Sequence, residues 1–185
     1  MRCLLPITLL LCALPGCRGP VAGEVALAPE VTFRLCPPET GPAFFALQEM
    51  AFTFPGGRRE TAVAAIENKG GVLSIVASSL LGQTLFTVQV RGRAALVDAR
   101  VPLPPQLDPQ LLPALVQFAL WPAEALRASL EPGTTLEQDG PRRTLLRRGR
   151  VVWTVTRDGA APPFRNLVLE NPALGMTVRI RTLED

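Results

Sequence analysis

The chain has 185 residues, of which 19 are basic and 16 acidic, giving a net charge of +3, and it contains no histidine or tyrosine. This near balance of charge gives no sign of a nucleic-acid partner. The missing histidine removes the commonest general base and metal ligand, and with it the Ser-His and Cys-His nucleophile pairs. Because the carboxylates also lack metal-ligand spacing, we expect a protein without catalysis, metal or cofactor.

The first residues resemble the export signal of a bacterial lipoprotein. After Met1-Arg2, the apolar run 4–14 is too short to cross roughly 30 Å of hydrocarbon, but it fits the core of a signal peptide. It leads into Leu14-Pro15-Gly16-Cys17, which is similar to a lipobox. The resemblance implies that the signal peptide, residues 1–16, is removed and that Cys17 carries acyl chains such as palmitate.

The same resemblance implies a location. Arg18, and not aspartate, follows the cysteine, which in diderm bacteria favours sorting to the outer membrane, with the domain facing the periplasm. Two alternatives stay open: cleavage after Gly23 would give a free secreted protein, and an uncleaved run would form a buried helix. Pro6 and Pro15 disfavour the helix, and Gly23 lies far from the apolar run. We therefore expect a lipid-anchored protein of the cell envelope.

The segment 17–42 is rich in proline and poor in apolar runs. This composition favours a lipidated tether that lifts a domain of residues 43–185 off the membrane, although 31–35 would suit a short strand. Cys36 is then an unpaired thiol in a linker, since the other cysteines leave with the signal or carry lipid. No disulfide is expected in the mature monomer.

From residue 44 onwards, alternating apolar residues separated by glycine turns predict an antiparallel meander. Phe86 and Val88, for example, alternate with Thr87 and Gln89. The run 72–77 is apolar on both faces, which predicts a central strand. The predicted strands are 44–54, 61–67, 72–77, 84–90 and 95–101.

A nearly all-apolar helix follows the meander and is expected to be buried on several sides. It begins at Asp108 or at Pro113 and ends near Trp121, and Gln117 is almost its only polar residue. A second helix is predicted at 122–130.

The chain then returns to strands, predicted at 135–138, 142–148, 150–156, 166–170 and 176–182. A sheet of this length twists and curls. An apolar helix pair in the middle of the chain must bury itself on the concave face. We therefore predict an α+β, mainly β fold, in which a curved antiparallel sheet forms an unclosed half-barrel with a central helical lid.

A resemblance to a known family rests on the order of four stretches, 45–48, 79–87, 117–126 and, more weakly, 146–150. They resemble a family of bacterial outer-membrane lipoproteins of unknown function that are often encoded beside fatty-acid-like or aryl-polyene biosynthesis genes. That family is similar to the lipoprotein receptor LolB and its carrier LolA. The resemblance implies an unclosed barrel with a helical lid over an apolar cavity that accepts acyl chains. The sequence shows no clear equivalent of the exposed apolar loop with which LolB is thought to touch the membrane.

The predicted fold and the resemblance together suggest a lipid cavity on the concave face. Its predicted lining residues are Phe86, Val88, Leu115, Phe118, Trp121 and Trp153. The alternative is that these side chains fill a packed core.

A basic cluster is the other candidate site, and it would touch phosphate head groups. It consists of Arg142, Arg143, Arg147, Arg148 and Arg150. Alternation along the strand gives this segment two basic faces, which favours a solvated hairpin. Ser78 and Ser79 have no elbow motif around them and are interpreted as a strand end and turn.

These features predict an outer-membrane lipoprotein that binds or transfers a lipid, acyl or polyene chain without catalysis. The alternative is an interaction module, with a filled core, in an envelope biosynthesis or export complex. A third hypothesis is a hydrolase or transferase that uses scattered acids.

Overall fold

The computed structural model describes residues 23–102, 108–159 and 161–183. The predicted signal peptide 1–16 and the lipidation site Cys17 lie outside the described residues and stay predictions. In the described ranges, no helix is both long and apolar enough to span a membrane.

The described residues form mostly β structure, interrupted once by α-helices and by short 3-10 helices at Pro38–Thr40 and Pro55–Gly57. The strands before the helices are β1 (Glu24–Ala28), β2 (Val31–Arg34), β3 (Phe44–Thr53), β4 (Arg59–Lys69), β5 (Val72–Ser78), β6 (Thr84–Arg91) and β7 (Ala94–Ala99). The helices are α1 (Leu111–Leu120) and α2 (Ala123–Arg127), and the later strands are β8 (Thr134–Asp139), β9 (Arg142–Arg147), β10 (Arg150–Arg157), β11 (Asn166–Asn171) and β12 (Met176–Leu183).

Ten of these strands form one antiparallel sheet in the order β7-β6-β5-β4-β3-β12-β11-β10-β9-β8. At its centre, β3 pairs with β12, and Met50 lies opposite Ile180. This pairing joins the early and late meanders, and β7 and β8 form the two open edges. The predicted fold class, a mainly β, unclosed antiparallel half-barrel with a helical lid, is confirmed.

The sheet has one buried face and one largely open face. In β4, Ala62, Ala64 and Ile66 are buried, whereas the residues between them are partly exposed. The segment 72–77 was predicted to be a central strand, and β5 does lie inside the sheet between β4 and β6, although Val76 is 38% exposed on the open face. Since no described element covers that face, apolar residues there remain in contact with solvent.

A two-stranded hairpin, β1 and β2, lies across the buried face. Leu27, Phe33, Leu35 and Cys36 are each at most 2% exposed and belong to the same core cluster as the sheet. The indole Nε1 of Trp153 donates a hydrogen bond to the Leu27 carbonyl at 2.8 Å. The tether prediction is therefore wrong for residues 24–36, because their alternating apolar side chains bury themselves on the concave face.

The helices complete the cover of the concave face. All residues of α1 from Leu112 to Leu120 are buried, and Gln117 is fully buried among them. The helix begins between the two predicted starts, at Leu111, and ends where Trp121 becomes extended. The second helix is shorter than predicted, Ala123–Arg127.

Candidate ligand cleft

The six predicted cavity residues all reach the same core between the sheet and its cover. Phe86, Val88, Leu115, Phe118, Trp121 and Trp153 are each at most 3% exposed and belong to one hydrophobic cluster. The structure thus brings them together, as the sequence predicted. Their role as ligand contacts remains a prediction.

A cleft of about 600 Å³ opens at the rim of the sheet where β9 begins and β10 ends. It is lined by Pro42, Leu120, Trp121, Pro122, Gln138, Gly140, Pro141, Arg143, Arg157, Gly159, Pro162 and Phe164. Its volume falls within the usual range of small-molecule sites. Of the six predicted residues, Trp121 lines this cleft and so connects it to the core.

Arg143 is a buried cation in the wall of the cleft, only 4% exposed. Its Nε donates to Gln138 Oε1 at 3.0 Å, and its Nη1 donates to the carbonyls of Phe118 and Ala119 at 3.0 and 3.5 Å. Burial, together with the nearby charges of Arg157 and Arg127, lowers the pKa of Arg143 to about 10. The guanidinium therefore ties β9 to the last turn of α1 at the cost of an unneutralised charge.

Arg157 provides a second cation beside it. Its guanidinium carbon lies 5.0 Å from the centre of the Phe164 ring, within cation–π distance. Its hydrogen bonds to the carbonyls of Pro141 and Gly140 are long, at 3.4 and 3.5 Å. Burial lowers the pKa of Arg157 as well.

Trp121 contributes an unused donor to the same region. The residue is fully buried, and its Nε1 has no hydrogen-bond partner within the described part of the chain. The benzo ring of this indole packs closely on Gly41, where an added Cβ would lie 2.2 Å from Trp121 Cε2. An unpaired buried N–H costs about 1–3 kcal/mol, and this one belongs to a residue that lines the cleft.

The basic cluster is not the solvated hairpin that the sequence favoured. Arg143 and Arg147 share the inner face of β9 with buried Leu145, and Arg147 lies 3.7 Å from a carboxylate oxygen of Glu131. Arg142 and Arg148 are exposed, as expected. Leu145 is the sequence signal that would have identified the inner face, because strand residues two apart point to one side.

An exposed apolar turn was also missed. Leu80 and Leu81, between β5 and β6, are 66% and 97% exposed. Ser78 ends β5, and Ser79 closes the turn by accepting the N–H of Gly82 at 2.9 Å. Because the strands are antiparallel, this turn lies at the opposite end of the sheet from the cleft.

The fold is an open antiparallel half-barrel that is covered by a hairpin and two helices and has a cleft at one rim. These features define a mainly β protein with a lid. Its sequence matches, over residues 46–184, the family described as "Protein of unknown function (DUF3261)", and the chain belongs to that family. A comparison with curated proteins gave no match. Among solved structures, a LolA superfamily protein from Nitrosomonas europaea is similar, with 9% identity, a TM-score of 0.47, and coverage of 80% of this chain and 88% of that one.

Proposed function

We propose that this protein is a lipid-anchored component of the bacterial outer membrane that binds a lipid, acyl or polyene chain and passes it on without catalysis. The observation that carries the proposal is the cleft of about 600 Å³ at the rim, whose wall runs from Leu120 and Trp121 into the apolar core. An apolar chain that packs against this wall loses contact with water, which favours binding by about 25 cal/mol per Å² of apolar surface buried.

The position of the hairpin supports a role close to a membrane. The Gly23 carbonyl accepts the N–H of Leu35 at 2.8 Å, and Gly23 packs on Arg93 in the β6–β7 turn. That turn lies at the same end of the sheet as the cleft. With Cys17 lipidated, the six residues up to Gly23 span at most about 20 Å. Such an anchor would hold the cleft rim towards the bilayer, where acyl chains enter and leave.

The ligand is tested with the full chain extracted in mild detergent from its native host. Native mass spectrometry should show a co-purified amphiphile, and a fluorescent fatty acid should bind and be displaced by unlabelled fatty acid. Trp121→Leu, which removes the aromatic ring from the cleft wall and keeps the position apolar, should weaken binding, whereas Leu81→Ala at the far rim should not. Absence of both a co-purified amphiphile and fatty-acid binding in the wild type would refute the proposed function.

The anchor has an independent test. Mass spectrometry of the amino terminus should find diacylglyceryl and acyl groups on Cys17, and fractionation should place the protein in the outer membrane. A Cys17→Ala variant should lose this attachment. An unmodified terminus at Glu24 would show instead a free secreted protein.

The second candidate function is an interaction module of an envelope biosynthesis or export complex. The exposed side chains of Leu80 and Leu81 favour it, because burial of two adjacent apolar side chains against a partner would be favourable. A photo-crosslinking residue at position 81 in the native host would identify an envelope partner. Crosslinking together with failure to bind any amphiphile would favour this function over the first.

A further inference from the structure

Two arginines in the cleft lack the carboxylate partners that some other arginines of the chain have. Arg58, Arg100 and Arg181 pair with acids at 2.6–3.0 Å. Among the described residues, neither Arg143 nor Arg157 forms an ion pair. Both lie in a partly desolvated cleft, where an uncompensated charge costs far more than at the surface.

The two cations also oppose each other. Of the neighbouring charges, that of Arg157 destabilises the protonated form of Arg143 most, and that of Arg127 adds a smaller effect. A negative group in the cleft would relieve the repulsion and the desolvation at once. The favourable interaction would be strong because the local dielectric is low.

A helix-capping role explains only part of this arrangement. Arg143 Nη1 satisfies two carbonyls in the last turn of α1, which is a favourable place for a cation. Its Nη2 makes no hydrogen bond within the described residues, and capping gives no reason for Arg157. The unpaired Nε1 of fully buried Trp121 supplies a further donor that the fold leaves unused.

We propose that Arg143 and Arg157 bind the acid group, a carboxylate or a phosphate, of one amphiphile whose chain lies along the apolar part of the cleft. Guanidinium groups match such oxyanions with paired, charge-assisted hydrogen bonds. Leu120, Trp121 and Phe164 provide the apolar wall beside the two cations. This inference rests on the proposed function and narrows it to anionic amphiphiles held by their acid end.

The test compares probes that differ only in the head group, using the full chain in detergent. A dansyl-labelled C11 fatty acid is the acid probe, its alcohol analogue is the neutral probe, and dodecyl phosphate and inorganic phosphate are competitors. Arg157→Gln removes the less buried cation, and Arg143→Gln removes the other. Arg142→Gln, an exposed neighbour on the opposite face of β9, is the matched control.

The wild type should bind the acid probe about 10- to 100-fold more tightly than the alcohol, as expected for one or two charge-assisted hydrogen bonds. Arg157→Gln should lose most of this preference and keep its affinity for the alcohol, and Arg142→Gln should match the wild type. Dodecyl phosphate should displace the acid probe, and inorganic phosphate at equal concentration should not.

Equal wild-type affinity for acid and alcohol would overturn the inference and leave the proposed function standing. An unchanged preference for the acid probe in Arg157→Gln would also overturn the inference and leave the proposed function standing. This outcome does not depend on whether Arg143→Gln folds. Displacement by inorganic phosphate would show a simple anion site in place of an amphiphile site. Binding of neither probe by the wild type would instead remove the proposed function itself.

Discussion

The side-chain amide of Gln117 forms two hydrogen bonds with the backbone of Cys36, both at 2.8 Å. The Cys36 N–H donates to Gln117 Oε1, and Gln117 Nε2 donates to the Cys36 carbonyl. Gln117 is fully buried, and Cys36 is 1% exposed. The one polar residue inside α1 therefore replaces the strand partner that the chain lacks after β2, and it fastens the helix to the hairpin.

Gln117→Met should destabilise the fold strongly. The substitution keeps the volume similar but leaves the N–H and carbonyl of Cys36 buried and unpaired, at about 1–3 kcal/mol each. We expect a loss of roughly 2–5 kcal/mol in the free energy of unfolding, measured by urea titration. Gln89→Met, at an exposed glutamine on β6, should change it by less than about 0.5 kcal/mol. Equal midpoints for the two variants would contradict this.

The strands could be predicted from the sequence because their signal is local. Alternation and glycine turns depend only on neighbouring residues, and the observed bounds of β6, Thr84–Arg91, differ from the predicted 84–90 by one residue. The short strand at 31–35 was predicted and corresponds to β2, Val31–Arg34. Its pairing with β1 in a buried hairpin could not be predicted, since Pro29 and Pro37 give the segment the composition of a linker. Its stabilising partner, Trp153, bonds to Leu27 across 126 positions.

The residues of the candidate site could likewise be predicted from the sequence only where their signal is local. Trp121 could be predicted, because an apolar helix must end against the core. The inward position of Arg143 follows from the parity it shares with Leu145, a signal that the charge of the residue obscured. The contact of Arg157 with Phe164 depends on a loop conformation, which leaves no periodic pattern in the sequence.

The thiol of Cys36 should be unreactive in the folded protein. Burial raises the pKa of this thiol, and the effect exceeds the lowering by the Ser129 hydrogen bond and the charge of Arg93. The Cys36 Sγ donates to Ser129 Oγ at 3.2 Å. At pH 8, iodoacetamide should label Cys36 slowly without urea and rapidly with it, as read from the Cys36 peptide by mass spectrometry. Rapid labelling without urea would show an open hairpin.

The raised pKa of the Cys36 thiol also makes the stability of the fold depend on pH. The unfolded thiol ionises near its ordinary pKa of 9.0, and the folded thiol ionises only above it. The contribution of Cys36 is therefore complete below about pH 9 and declines as the pH rises through the folded pKa. The stability difference between wild type and Cys36→Ala should be smaller at pH 10 than at pH 7.5. A constant difference across this range would contradict the assignment.

Two buried tryptophans should respond differently to loss of the indole N–H. Trp153 Nε1 bonds to the Leu27 carbonyl at 2.8 Å, whereas Trp121 Nε1 has no partner among the described residues. Both side chains are fully buried, so each change to phenylalanine costs a similar amount of packing. Trp153→Phe should therefore be more destabilising than Trp121→Phe by about 1 kcal/mol. A larger cost for Trp121→Phe would show that its N–H is satisfied in solution.

Deletion experiments should separate the hairpin from the predicted tether residues 18–22. Removing residues 24–36 takes seven buried side chains from the core, of which five are large and apolar, namely Val25, Leu27, Val31, Phe33 and Leu35. At about 1.5–3 kcal/mol each, the stabilisation lost with these five side chains is as large as the whole free energy of unfolding of a typical domain, roughly 5–15 kcal/mol. We expect no cooperative unfolding transition by circular dichroism after this deletion, and a normal transition after removal of residues 18–22. Cooperative unfolding without 24–36 would restore the tether interpretation.

Gly41→Ala should disturb the wall of the cleft through Trp121. The backbone of Gly41 has a φ of −104°, which alanine adopts without strain, so the effect is purely steric. The added Cβ would lie 2.2 Å from Trp121 Cε2, and the indole must move. We expect a loss of about 1–3 kcal/mol in stability and a shift in tryptophan fluorescence. In a Trp121→Leu background, which removes the ring, Gly41→Ala should cost much less, and this non-additivity identifies the contact. Equal costs in the two backgrounds would show that the strain lies elsewhere in the turn after Thr40.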